Sequence, residues 1–218
     1  MASSRQSRSL LLPPGGSVSV DAGQTLIGTC YLDALGQDYA WLRGQMAVGA
    51  EGTATGVVRE DQFRSLFRRL LRSPTTSEDA YRCLESVINP HHCPYPEVDP
   101  RVARVVALIR ELVAENTSVE TLAQAVNLSV PRLMQLFRQY VGVPIRRYRQ
   151  WHRLFVTTIA VAQGKSLTEA AMDAGFTDSA HFSHTFRTTL GLKPTDVLTE
   201  LGQTGLIPPS AGLGPFRL

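Results

Sequence analysis

Residues 123–142, AQAVNLSVPRLMQLFRQYVG, and residues 171–191, AMDAGFTDSAHFSHTFRTTLG, are two copies of one pattern. A one-residue insertion after Thr177 aligns Ala123 with Ala171, Asn127 with Gly175 and Leu128 with Phe176. Leu133, Phe137 and Gly142 then align with Phe182, Phe186 and Gly191. Each position has a physical task. The small alanine lets two helices cross closely. Gly175 supplies the positive φ of a tight turn, and asparagine, at 127, is the best non-glycine substitute there. Leu128 or Phe176 fills the angle between the helices. Leu133 with Phe137, or Phe182 with Phe186, anchors the second helix. The pattern predicts a helix-turn-helix, made twice. A single copy is a weak signal, because any compact helical hairpin imitates it. Two copies separated by a helix of about 20 residues are far more specific: that helix spans about 30 Å, close to the ~34 Å of one DNA turn. The alternative is a helical repeat with no nucleic acid involved.

Working outward, the flanking sequence reads as helical throughout. Pro144 opens the long intervening helix and Gly164 closes it. Asp99-Pro100 is a helix start, with Asp as N-cap and Pro at the first helical position. Val102, Val105, Val106, Ile109, Leu112 and Val113 then share one apolar face. Thr117-Ser118-Val119-Glu120 and Ser166-Leu167-Thr168-Glu169 both fit a capping box, in which hydroxyl and carboxylate each satisfy an orphan backbone N–H.

The net charge of +3 says little, but its distribution is informative. Arg132, Arg138, Arg146, Arg147, Arg149, Arg153 and Lys165 follow one another with no Asp or Glu anywhere between Thr121 and Thr168. On composition alone such a block is a solvated face; over a helix-turn-helix it becomes a surface for phosphates. Three scattered cysteines, Cys30, Cys83 and Cys93, do not make a disulfide framework and suit a reducing cytoplasm. No apolar run reaches the ~20 residues of a membrane span. Leu10–Leu12 before Pro13-Pro14 is too short for a signal-peptide core.

The N-terminal half is expected to be different. Residues 1–9 are polar and read as loose. Leu10 to Leu32 reads as β: Val18 and Val20 alternate with serines, Asp21-Ala22-Gly23-Gln24 is a turn, and Thr25 to Leu32 is a second extended run. Gly44 to Gly56 reads as loop or weak strand. Phe63, Leu66, Phe67, Leu70 and Leu71 then repeat at helical spacing, and Tyr81, Leu84, Val87 and Ile88 mark a second helix. Pro90, Pro94 and Pro96 make a semi-rigid linker, where the domain boundary is placed.

Over Pro100 to Glu200 the chain resembles the AraC/XylS family of bacterial transcription regulators. The most diagnostic stretch is GFTDSAHFSHTFRTTLGLKPTDV (175–197), in which Gly175-Phe176, Phe182-Ser183, Phe186-Arg187, Gly191 and Pro194 match the family signature. LLLPPGGSVSVDAG (10–23) and GTCYLDALG (28–36) look like later strands of the cupin-type effector domain common in that family, and the earlier strands have no counterpart. The fold expected is α+β: a short β-rich, partially cupin-like region with two helices, then an all-α DNA-binding domain of two helix-turn-helix subdomains joined by a long linker helix, Ile145 to Gln163. The domains are 1–96, for regulation and dimerisation, 97–201, for DNA, and a flexible tail, 202–218.

The resemblance implies that the second helix of each copy lies in a major groove with its side away from the core toward the bases. Removing core positions leaves Pro131, Arg132, Met134, Gln135 and Arg138 on the first such helix, and Ser179, Ala180, His181, His184, Thr185 and Arg187 on the second. Gln135 suits adenine, Arg132 guanine, and His181 or His184 a guanine edge or a phosphate. Met134 suits a thymine methyl. Arg138 and Arg187, near helix ends, suit phosphates better than bases. Arg146, Arg147 and Arg149 either touch the DNA backbone or are solvated, while Trp151, Leu154 and Phe155 read as core. No cofactor or metal is expected: His181 and His184 lack a third ligand nearby, and the adjacent His91-His92-Cys93 rarely point at one ion. The partners implied are double-stranded promoter or operator DNA, a second copy of the chain and RNA polymerase. Whether a small-molecule effector binds is open, as are the operator sequence and the sign of regulation. Two rivals remain: a heterodimerising relative that does not bind DNA, and a DNA-alkylation repair protein. The second needs clustered cysteines and a Pro-Cys-His-Arg motif, which the sequence lacks, so no enzyme is expected.

Overall fold

The computed structural model describes residues 6–21, 23, 25, 27–32, 37–49, 52–73, 75–93, 97–195 and 198. These residues are mostly helical, with one small sheet near the N-terminus. Strands β1 (Leu10–Leu11), β2 (Ala47–Val48) and β3 (Ala54–Thr55) pair antiparallel in the order β1-β3-β2, with Leu10 opposite Thr55 and Val48 opposite Ala54. Between β1 and β2 lies α1 (Gln37–Gly44), and after β3 come α2 (Glu60–Arg72) and α3 (Ser77–Ile88). Thr76 caps α3 by accepting the Asp79 N–H at 3.1 Å.

This part corrects the sequence reading in several places. The extended runs expected over Leu10 to Leu32 shrink to the two residues of β1, and the described residues from 12 to 32 contain no further strand. Alternation makes a strand only where a partner and a covered face exist. Val18 and Val20 have neither and stand exposed. At the expected turn, Asp21 accepts the Gly23 N–H at 2.9 Å, while Ala22 and Gln24 lie outside the described residues. The helix α1 was not anticipated. Nor is all of the N-terminal stretch loose: Ser9 Oγ donates to Glu60 Oε1 at 2.6 Å and accepts the Val57 N–H at 3.0 Å, pinning β1 to the start of α2.

The linker begins as a built turn. Asn89, buried, exchanges two hydrogen bonds with the Cys93 backbone, at 2.9 and 3.0 Å, standing in for a main-chain pair. Pro94 and Pro96 lie outside the described residues, as does the expected tail 202–218.

The C-terminal half consists of α4 (Pro100–Glu111), α5 (Val119–Gln124), α6 (Val130–Val141), α7 (Ile145–Ala162), α8 (Leu167–Asp173) and α9 (Ser179–Leu190). Asp99 caps α4 as expected, and its hydrogen bonds to Arg101 lower its pKa to about 2. Ser166 and Glu169 form a complete capping box on α8. At α5 the register is one residue later than the sequence reading: Ser118, not Thr117, is the N-cap, accepting the Thr121 N–H at 3.1 Å. Gly164, at φ 97°, ends α7.

Two groups of buried side chains organise these helices. The first joins Val102, Val105, Val106 and Ile109 of α4, Leu122 and Ala123 of α5, Leu133 and Phe137 of α6, and Ile145 and Tyr148 of α7. The second joins Leu154 of α7 with Ala171, Ala174, Phe176, Phe182 and Phe186. One helix, α7, therefore supplies side chains to both cores. Among the described residues no helix is long and apolar enough to cross a membrane.

Candidate nucleic-acid interface

The two copies read from the sequence fold alike, down to individual hydrogen bonds. Asn127 sits at φ 54° and Gly175 at φ 85°, the left-handed conformation both were expected to adopt. In each turn the residue that follows donates its N–H to the alanine five positions earlier: Leu128 to Ala123 and Phe176 to Ala171, both at 2.9 Å. Ala123 and Ala171 are buried, which lets α5 cross α6 and α8 cross α9 closely. Gly142 and Gly191 end the second helices at φ 79° and 74°, their N–H groups donating to Arg138 O and Arg187 O at 3.0 and 2.9 Å. The starts differ. Asp178 caps α9 by accepting the His181 N–H at 2.7 Å, whereas α6 relies on Pro131 in its first turn.

With Leu133, Phe137, Phe182 and Phe186 turned inward, the opposite sides of α6 and α9 are open to solvent. Pro131, Arg132, Met134, Gln135 and Arg138 are all exposed on α6, as are Ala180, His181, His184 and Arg187 on α9. Ser179 is half-buried. Thr185 departs from the sequence reading: it is buried, and Gln150 of α7 donates to its hydroxyl at 3.5 Å. Two candidates are already held by neighbours. Arg132 donates to Gln135 Oε1 at 2.8 Å, and His181 Nδ1 lies 3.1 Å from Thr177 Oγ1 with its ring edge-on to Phe176. Gln139 and Thr188, one turn beyond Gln135 and His184, continue the same exposed faces and were not singled out from the sequence. Their i+4 spacing was the available signal.

The basic block divides. Arg146 and Arg147 open α7 and are exposed, on the same unit as Arg132 and Arg138. Arg149 and Arg153 turn inward instead. Arg149 donates to Thr117 O at 2.7 Å, and Arg153 donates to Val113 O, Gly175 O and Glu115 O at 2.9, 2.8 and 3.0 Å. Burial lowers the pKa of both guanidiniums from its ordinary value, and for Arg153 the neighbouring Arg149 adds to the effect. Lys165 is paired with Asp173 at 2.7 Å. The sequence could not separate these groups, because the turn from exposed to inward depends on where carbonyls of other segments lie. Leu154 is buried in the second core, as expected, whereas Trp151 and Phe155, also read as core, stack on each other at 5.7 Å and are only half-buried.

Known proteins match the chain over the same residues. A family profile described as "Helix-turn-helix domain" matches residues 122–200. The chain is 32% identical over 104 residues to the XylDLEGF operon transcriptional activator 1 of Pseudomonas putida, covering 46% of this chain and 31% of that protein. It is 25% identical over 142 residues to the arabinose operon regulatory protein of Escherichia coli (strain K12), covering 64% and 48%. The chain thus spans only part of the length of these relatives. A solved structure of a transcriptional regulator (AraC-type DNA-binding domain-containing proteins) from Chromobacterium violaceum is 28% identical and covers 49% of this chain and 96% of that one, with a TM-score of 0.46. Over residues 122–200 the chain thus matches a helix-turn-helix domain model and is similar to transcription regulators of the AraC/XylS type.

Proposed function

We propose that the chain is a sequence-specific transcription regulator that lays α6 and α9 in two successive major-groove segments of promoter DNA. The observation that carries this is the duplication in three dimensions: two exposed helices, each held by the same left-handed turn and each with an arginine in its last turn and a capping glycine. At 18 residues, α7 is about 27 Å long, a separation on the scale of one DNA turn. In this reading residues 97–201 are the DNA-binding domain, made of two helix-turn-helix subdomains. Gln135, Arg132, Met134, His181 and His184 face base edges; Arg138, Arg146 and Arg187 hold phosphates; Pro131, Ser179 and Ala180 approach the groove at the helix starts.

The test is selection of bound DNA from a random pool by the purified full chain. The expected product is a motif of two elements about one helical turn apart. A folded chain that enriches nothing overturns the reading and favours the heterodimerising relative. In this reading the protein works in the cytoplasm on chromosomal DNA, with RNA polymerase as the machinery it acts on. The partially cupin-like reading of residues 1–96 rests on sequence resemblance alone, so an effector is not part of this proposal. Self-association through α2 and α3 is: Leu71 and Tyr81 expose 58% and 46% of their surface there. Light scattering that returns a monomer at micromolar concentration would remove that part.

A further inference from the structure

One side chain, Arg153, hydrogen-bonds to both recognition units. Arg153 lies on α7 beyond the residues that fill the first core, and it uses four of its five N–H donors at once. Its Nε donates to Val113 O at 2.9 Å, and its Nη2 donates to Glu115 O at 3.0 Å and Asn116 Oδ1 at 3.1 Å. All three acceptors belong to the connection between α4 and α5, in the first unit. Its Nη1 donates in the opposite direction, to Gly175 O at 2.8 Å, the turn residue of the second unit. The backbones themselves nearly meet at this point: a Cβ on Gly175 would lie 2.7 Å from Ala114 O. Arg149, one helical turn earlier, donates to Thr117 O at 2.7 Å and, among the described residues, ties α7 to the first unit.

We propose that Arg153 is a positioning residue that fixes the separation and rotation of α6 relative to α9, and with them the spacing of the two DNA segments the domain accepts. This rests on the DNA-binding reading. The planar guanidinium suits the task because its donors diverge in fixed directions, so acceptors on two units are held in one arrangement. Without it the units are joined through α7, whose apolar contacts to the two separate cores are less directional.

Two measurements on the full chain test the idea. In the first, 1 to 3 base pairs are inserted between the two elements of the selected DNA site. Each inserted pair rotates the second element by about 35° and moves it about 3.4 Å, so the parent protein should lose about tenfold in affinity or more per step. Arg153→Gln should bind the optimal site more weakly and show a flattened profile, within about threefold across the series. Arg149→Gln removes the same charge from the same face and should keep the steep profile. If both variants weaken binding alike with the parent's profile, Arg153 is only a charge and the proposal fails.

The second measurement needs no DNA. Spin labels at Gln135→Cys and His184→Cys, with Cys30, Cys83 and Cys93 replaced by Ser, report the distance between α6 and α9. The distribution should be narrow in the parent and broadened by Arg153→Gln; equal widths overturn the proposal. Should Arg153→Gln fail to fold, Arg153→Lys keeps the stem and charge on a single nitrogen and should give an intermediate width, and a parental width there is equally fatal. If the parent selects no DNA at all, the functional reading falls while the label distances still decide the role of Arg153.

Discussion

Gly175 and Asn127 occupy equivalent turns, yet substitution to alanine should cost very different amounts. At Gly175 two penalties combine. An alanine at φ 85° bears left-handed strain of roughly 1–2 kcal/mol. Its Cβ also lies 2.7 Å from Ala114 O and 2.9 Å from Arg153 Cζ. The first of these is backbone and cannot rotate away, so overpacking adds about 1–3 kcal/mol. The sum is about 2–5 kcal/mol. At Asn127 the side chain is exposed and already sits at φ 54°, so Asn127→Ala loses only the local tolerance of asparagine for that conformation, about 1 kcal/mol or less. In a chain of 218 residues, 3 kcal/mol corresponds to a fall in Tm of about 6–12 °C. Urea unfolding followed by far-UV circular dichroism measures both variants on the same scale. Combining Gly175→Ala with Arg153→Gln should recover less than half of the loss, because the clash with Ala114 O persists. Equal costs for the two single variants, within about 0.5 kcal/mol, would refute the claim that the second turn is packed against the first unit and the first turn is not.

Other outcomes follow from the same geometry. Gln135→Ala or His184→Ala should relax base preference in one half of the selected site at about 1–3 kcal/mol, whereas Arg138→Ala or Arg187→Ala should weaken all sequences alike and reduce the salt slope by about one unit. If both base-facing variants leave the selected motif unchanged, the mapping of readers is wrong. Because Arg149, Arg153 and Lys165 are engaged within the protein, the slope of log affinity against log salt should be about −3 to −4, from Arg138, Arg146, Arg147 and Arg187; titration of a labelled site in rising salt would expose a larger value. His152 is buried beside Tyr148, and burial, with Arg110 as a lesser cause, lowers its pKa from 6.5 to about 4. The unfolded chain therefore takes up a proton first as pH falls below 6.5, and stability should drop by about 2 kcal/mol by pH 5, a loss that His152→Phe should largely abolish in denaturation curves.

The sequence by itself determined the C-terminal half. A helix-turn-helix is written in local terms: a small residue, a left-handed turn and apolar positions at helical spacing. Asn127 and Gly175, Leu133 and Phe182, and Gly142 and Gly191 are therefore legible in the sequence, as are the exposed faces that follow by exclusion, except at Thr185, which Gln150 of α7 covers. The N-terminal half was legible only at α2 and α3, where periodicity is long enough to be distinctive. Its strands were misread because Val18 and Val20 alternate without a partner, and pairing is a non-local fact. Only the tertiary structure decided which basic residues remain on the surface. Arg146 and Arg153 look alike in sequence, but one side chain ends in solvent and the other among the carbonyls of Val113, Glu115 and Gly175, because the fold brings two distant segments to the same face of α7.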